Sequence, residues 1–425
     1  MSASQPMQAS REWMPPHGAT RDRAIWFFFT LQLLAMTVFQ KIGLPVGGIA
    51  VSISVPLMWG GLAVLALRGW AKIDVLRLLL FSAFVFLSMA GLVMVESFSF
   101  SSLALVAAIY IPMIFTVRIS EELYLRGLRL FVNLALLTVP IIFLQWGLQY
   151  AIRPGLWFNI ETIVPKSFLV PDYFYERLVS YGSAWTKPNG IFFLEVSILS
   201  QILALAVVIE LVCFRDVRRA LVLVAGLIST TAGTGAVLLA LCVPFLLRYL
   251  SPRVLVAGII FGIFGILIVL ANGIPSVFNR LSEFSSQTES GYYRFVAPFF
   301  VLGEMFDGSS VLWQGAGPGN APKALIVMLP FTKLVYEYGF IASVFFYAFL
   351  IVSMFRGAYS FVISFAVFVF YNLLGGGLAV PFYGEAVIVL TTLFRVAHEH
   401  EEPLRRSASQ GWFMRYGPGP GAQRR

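Results

Sequence analysis

Leu78-Leu79-Leu80-Phe81 has no alternation of apolar and polar residues. A strand of a membrane barrel alternates between its lipid face and its lumen face, so this run excludes a barrel. Backbone amides in hydrocarbon need partners within their own segment, which leaves helices as the spanning elements. Apolar runs of about 15–25 residues recur along all 425 residues, long enough to cross a bilayer. The composition agrees: 59% hydrophobic, 12% charged, with a mean hydropathy of +0.83. An ordinary soluble domain is excluded. The expected fold is an all-α polytopic membrane protein with about 12 transmembrane helices and two large extracytoplasmic loops.

The spans are expected to begin near Ala24, Val46, Ile73, Ser101, Leu130, Ile191, Ala220, Gly235, Val254, Phe331, Ala358 and Gly384. With the N-terminus inside, twenty-one of the thirty Lys and Arg fall in cytoplasmic segments, as the positive-inside rule requires. The chain then divides into a cytoplasmic N-terminal tail (1–23), helices 1–5 (24–150) and a first large periplasmic loop (151–190). Helices 6–9 (191–272), a second large periplasmic loop (273–330), helices 10–12 (331–397) and a cytoplasmic C-terminal tail (398–425) follow. No cleavable signal peptide is evident before the first span. The net charge of +9 is scattered beside the spans in ones to threes, a topology signal rather than a stripe for nucleic acid.

The run from Ala220 to Leu247 is open to two readings. As one helix it would be roughly 42 Å long, against a core of about 30 Å. The cluster Ser229-Thr230-Thr231-Ala232-Gly233-Thr234-Gly235 is a natural bend, and two short helices keep the charge sides consistent. Gly258 and Gly262 form a GxxxG pair, which suits close helix packing. Cys213 and Cys242 read as packing residues.

Nine cations fall outside the cytoplasmic pattern: Lys41, then Arg153, Lys166, Arg177 and Lys187, then Arg280, Arg294, Lys323 and Lys333. The first outward segment is rich in aromatic residues, among them Trp157, Tyr173, Tyr175 and Trp185. These suit either sugar faces or an interfacial belt. It runs into Lys187-Pro188-Asn189-Gly190-Ile191-Phe192-Phe193-Leu194-Glu195, where Glu195 is expected about one turn inside an apolar helix. An acid in that place is either a general base or a structural partner for a cation such as Lys187. In the second segment Arg280 and Arg294 have the forked donors that clamp phosphate oxygens. Gly315-Ala316-Gly317-Pro318-Gly319 reads as a turn, since it lacks the strand–turn–helix setting of a nucleotide loop. His17, His398 and His400 all lie in the tails, and the outward acids form no tight pair, so neither a histidine base nor a metal site is expected.

The order of these elements resembles the bacterial O-antigen polymerase and ligase superfamily (Wzy/WaaL-like) and its exopolysaccharide polymerase branch. Lys187 to Glu195 is similar to that family's basic-x-x-Gly-Leu-Phe-x-Glu element. The break at 229–235 is similar to its Ser-Arg-Thr-Gly turn, and Tyr336-Glu337-Tyr338-Gly339 to its Glu-x-Gly. Two residues depart from the pattern: Gly233 stands where the family has arginine, and Lys187 where arginine is common. The histidine that ligases carry in the second outward loop is absent, which favours polymerase over ligase.

The resemblance implies a GT-C-like glycosyltransferase in the bacterial inner membrane, with both termini cytoplasmic. Its partners would be the lipid bilayer and a polyprenyl-pyrophosphate-linked oligosaccharide, with a chain-length regulator and export machinery as further candidates. It would join repeat units by inverting transfer, with no metal or cofactor. Glu195 would be the base, Arg280 and Arg294 would hold the pyrophosphate, and Lys187 or Arg153 would assist. A secondary transporter or glycan flippase, and a glycan ligase, are the alternatives.

Overall fold

The computed structural model describes residues 16–46, 49–156, 160–170, 173, 176–179, 182–250, 292, 296–306, 311–321, 328–373 and 378–396. The first half holds α1 (Pro16–Thr37), β1 (Gly43–Val46), β2 (Ile49–Ser52), α2 (Ser54–Leu67), β3 (Ala71–Ile73), α3 (Val75–Leu92), α4 (Phe100–Tyr110), β4 (Phe115–Ile119) and α5 (Glu121–Ala151). After the first outward segment come α6 (Val196–Ile209), α7 (Val217–Ser229) and α8 (Gly233–Leu246). The last part holds α9 (Ala297–Phe306), α10 (Val311–Gln314), α11 (Pro330–Tyr338), α12 (Phe340–Phe355), α13 (Phe361–Leu373), α14 (Pro381–Val387) and β5 (Phe394–Val396).

The chain is mostly helical. Among the described residues, Val75–Leu92, Glu121–Ala151 and Val196–Phe214 are long and apolar enough to cross a membrane. Other apolar helices, such as Ser54–Leu67 and Phe340–Phe355, are shorter. Far fewer than twelve full-length spans are seen among the described residues. The Thr/Gly cluster divides the 220–247 run into two short helices, α7 and α8, the division expected from the sequence. Gly339, at φ 82°, separates α11 from α12. The ninth expected span, with Gly258 and Gly262, lies outside the described residues, as do both cationic positions Arg280 and Arg294.

The all-α expectation needs one correction, because two small sheets cap the helices. β1 and β2 form an antiparallel hairpin, with Gly43 opposite Ser52. At the other end of α2, β3 pairs antiparallel with β4, and β4 pairs in parallel with β5. These strands fall in segments that sequence patterning treats as connections or span ends. They are too short to give a period-2 signal. The helices thus run between a sheet end (β3, β4, β5) and a loop end, which holds the β1–β2 hairpin and the first outward segment.

Helix starts follow local capping. Asp74 accepts from Leu76 N and Arg77 N ahead of α3, Ser120 from Leu123 N ahead of α5, and Asp216 from Arg218 N and Arg219 N ahead of α7. The centre of the body is α6, where every residue except Ser197 is buried. A helix apolar on all faces is stable only when surrounded, and α6 is enclosed by α5, α7, α8 and α13. A second pair, α3 and α12, packs through Phe81 on Phe349 and Phe84 on Phe346, with ring centroids 5.1 and 5.0 Å apart.

Arg77 ties the sheet end together. Its sequence position suggests a cytoplasmic topology charge, yet it is 1% exposed. Its guanidinium donates to Met113 O at 3.0 Å, Phe115 O at 3.4 Å, Thr392 O at 3.1 Å and Ser353 O at 3.3 Å. Those of Met113, Ser353 and Thr392 lie in last helical turns, which leave carbonyls unsatisfied, and that of Phe115 opens β4. Arg77→Met removes this donor from the buried Met113 and Thr392 carbonyls and is expected to cost at least about 3 kcal/mol. Arg77→Lys, a point charge without a fork, should recover only part of that loss. Unfolding midpoints in mixed micelles measure both, and an Arg77→Met variant as stable as wild type would refute the assignment.

Candidate functional site at the mouth of helix α6

The first outward segment folds back onto the hairpin at the loop end. Lys41 Nζ donates to Glu161 Oε1 at 2.5 Å, with side chains only 2% and 11% exposed. Beside it, Val170 N donates to Lys41 O, and Ile42 bridges to Leu169. Burial holds the Lys41 pKa below its ordinary 10.5, while the hydrogen bond and charge of Glu161 pull part of that shift back. Lys41, a cation outside the cytoplasmic pattern with no assigned role, ties Glu161 and Val170 to the hairpin.

Further along, residues 177–179 pair antiparallel with 185–187. Leu178 bridges to Thr186, Val179 N donates to Trp185 O at 2.9 Å, and Lys187 N donates to Arg177 O at 2.7 Å. Gln149, buried at the end of α5, fastens this pairing. Its Oε1 accepts from Thr186 N at 2.9 Å and its Nε2 donates to Thr186 O at 3.0 Å. Trp185 rests on Tyr150 with ring centroids 4.5 Å apart. Arg177 and Lys187 therefore sit opposite one another on neighbouring strands.

The stretch expected to be the first turn of a helix is instead a fastened loop. Gly190 (φ 66°) and Ile191 (φ 68°) are both left-handed. That conformation is an outlier for a β-branched residue and persists only where its surroundings enforce it. Here three amide side chains do so. Asn189 Oδ1 accepts from Ile191 N, Gln145 Oε1 from Gly190 N and Gln40 Oε1 from Leu194 N, all at 2.9–3.0 Å. Glu195 consequently lies just ahead of α6 with extended backbone (φ −142°, ψ 155°), not one turn inside it.

Two of the sequence landmarks meet at Glu195. Ser197 Oγ donates to Glu195 Oε2 at 3.1 Å, and Arg177 Nη2 lies 3.7 Å from Glu195 Oε1. The Glu195 side chain is 15% exposed and that of Arg177 39%, so the pair opens to solvent on the arginine side. From the other direction comes the Thr/Gly break. Thr234 Oγ1 donates to Ser197 O at 3.1 Å, and Gly235 N donates to Ser200 Oγ at 3.1 Å. A Cβ at Gly235 would lie 2.1 Å from Ser200 O, so this approach of α8 to α6 requires glycine.

The expected site residues are distributed unevenly. Glu195 and Lys187 belong to this one loop-end cluster, and Arg177, for which the sequence offered no role, joins it as the ion-pair partner of Glu195. Arg153 stands apart: it is exposed beyond the end of α5 and joins no ion pair among the described residues. The glycine turn behaves as a turn, since Ala316 N and Gly317 N donate to Tyr336 O and Glu337 O. Those two N–H groups are committed to the fold and are not offered to an anion. Glu337 itself is buried, with Lys333 Nζ 3.9 Å from its Oε1.

Two buried acids escaped the sequence reading. Glu210, fully buried after α6, is held by Arg129 at 2.9 Å and Arg219 at 3.3 Å. Glu385, in α14, is 3% exposed. A single acid inside an apolar run was the available signal for both. No protein family, curated protein or solved structure matches the chain.

The Lys41–Glu161 pair gives a direct test of the anchor. Lys41→Met and Glu161→Leu each remove the hydrogen-bonded partner of a buried charge and should destabilise by about 3–5 kcal/mol, while the double variant should fall nearer wild type. Thermal midpoints of the four proteins read this, and additive losses would contradict it.

Proposed function

We propose that the chain is a polysaccharide polymerase of the inner membrane. It joins polyprenyl-pyrophosphate-linked oligosaccharide repeat units at the periplasmic face, on a twelve-span, GT-C-like body whose termini are both cytoplasmic. The observation that carries this reading is the convergence at Glu195. The loop from Lys187 to Glu195 and the Thr/Gly break, distant in sequence, are joined there through Ser197 and Thr234, with Arg177 3.7 Å from the carboxylate.

The chemistry follows from the donor. Pyrophosphate is already a good leaving group, so the protein has to supply a base for the acceptor and cations for the developing charge. The Glu195 carboxylate takes the proton of an acceptor hydroxyl as its oxygen attacks the anomeric carbon. The bond from that carbon to the pyrophosphate oxygen breaks, and the electron pair leaves with the lipid pyrophosphate. Attack opposite the leaving group inverts the anomeric centre. Arg280 and Arg294 are assigned to the pyrophosphate, with Lys187 and Arg153 assisting. Arg177 orients the base, and its exposed side gives it access to the same anion. Aromatic rings such as Trp185 offer apolar faces to the sugar.

A second reading, a secondary transporter or flippase, is favoured by one observation: the buried acid Glu385 within the helical body. The deciding experiment supplies purified protein in nanodiscs with a single synthetic lipid-pyrophosphate repeat unit. A polymerase makes a ladder of products. A ligase lacking its second acceptor makes none, and a transporter moves substrate without joining it. Glu195→Gln should lower the rate by about 10²–10⁴-fold, and Arg280→Ala/Arg294→Ala should abolish the ladder. Normal polymerisation by the double arginine variant would sink the pyrophosphate assignment while leaving the activity standing.

A further inference from the structure

Glu385 lies where nothing in the proposed reaction uses it. It sits in α14, immediately before a π-helical turn at Ile388–Thr392. Its carboxyl group faces a cavity of about 10 Å³ between α2, α4 and α14, lined by Ser54, Val55, Met58, Ala108, Ile109 and Ile388. Neither carboxyl oxygen meets full hydrogen-bond geometry with a partner among the described residues, and the Ser54 hydroxyl is the one side chain near enough to interact with it. Ser54, the one hydroxyl in the lining, is 3.1 Å from Ser52 Oγ. The helices around the cavity are closely packed: a Cβ at Gly384 would lie 2.4 Å from Ile109 Cγ2.

An ionised carboxylate in such a place would carry a desolvation penalty of several kcal/mol, with no cation and only the Ser54 hydroxyl to offset it. No lining residue is basic. The elements packed against α14 are α1, α2, α4, α13 and the π turn. Their titratable groups are Tyr110 on α4 and Tyr371 on α13, with Tyr383 on α14 itself, and His17, Arg21, Asp22 and Arg23 in the first turns of α1. Tyr110 and Tyr371 share a hydrogen bond with each other, and Arg21 donates to Arg118 O at the sheet end. Neither tyrosine of that pair, nor Tyr383 or Arg21, lines the cavity. Its volume is that of a single water, and its polar lining is one hydroxyl and one carboxyl.

We propose that Glu385 is a proton-binding site inside the helical body, a neutral carboxylic acid that exchanges its one proton with a water in this cavity. On release the acid O–H bond breaks, the electron pair stays on the carboxylate and the proton passes to the water. Separation of α2 or α4 from α14 admits more water and favours release, so the protonation state of Glu385 is coupled to the packing of these three helices. The inference is independent of the polymerase reading and holds equally for a transporter.

Infrared difference spectroscopy on the full chain in nanodiscs at neutral pH tests it. Wild type minus Glu385→Gln should show one carbonyl-stretch band of a protonated carboxylic acid that shifts in heavy water. Ser54→Ala should move the frequency of that band without removing it, and this comparison with wild type serves if the glutamine variant does not fold. Absence of a protonated-acid band at neutral pH would overturn the proposal. So would a sodium- or potassium-dependent rise in the thermal midpoint of wild type that Ser54→Ala weakens and Glu385→Gln abolishes, which would mean that an ionised Glu385 holds a metal cation.

Discussion

The helical body is closed at one end by a single buried guanidinium. Arg77 satisfies carbonyls from three separate parts of the chain: the segment after α4, the last turn of α12 and the π turn before β5. Three of these four bonds are buried, and one planar fork serves all four carbonyls. Arg395, on the strand that follows the π turn, donates to the same Ser353 carbonyl. The parallel pairing of β4 with β5, residues nearly 300 positions apart in sequence, is fixed by this knot. With the sheet end held, α2, α3, α5 and α12 run from a common base toward the loop end.

At the loop end the same physics takes another form. Buried amides, not charges, hold the loop ahead of α6: Gln40 from the end of α1, and Gln145 and Gln149 from α5, each bond backbone groups of the first outward segment. This network forces Ile191 into its left-handed conformation and leaves Glu195 extended at the helix mouth. Cost is thus placed where the candidate base is presented, and rigid helices on either side sustain it. The network is satisfied except at Gln145 Nε2, and its bonds to the backbone restrict the loop to one geometry, which is what a positioned acid requires.

Much of this was legible in the sequence, and the gaps have physical causes. The unalternating run at Leu78–Phe81 established helices, and the Thr/Gly cluster marked the division of α7 from α8. The order of Lys187, Glu195 and the cluster pointed to elements that do meet in space. Hydropathy could not show that Arg77 is buried, because a positive charge beside a span reads the same whether it faces water or satisfies carbonyls. Nor could it show that Ile191 to Leu194 is loop, since an apolar run has no period to distinguish a fastened turn from a helix. Arg177 was missed because its partnership with Glu195 depends on a strand pairing registered by Gln149, a residue 28 positions earlier in the chain.

The proposed polymerase chemistry requires Glu195 and Arg177 to act as one unit at the mouth of α6. A double-mutant cycle on polymer synthesis from a single lipid-linked repeat unit measures this most directly. If the two residues share one role, Glu195→Gln/Arg177→Ala will be no slower than Glu195→Gln alone, a strongly non-additive result. Independent, additive losses, or a double variant that polymerises at the wild-type rate, would contradict it.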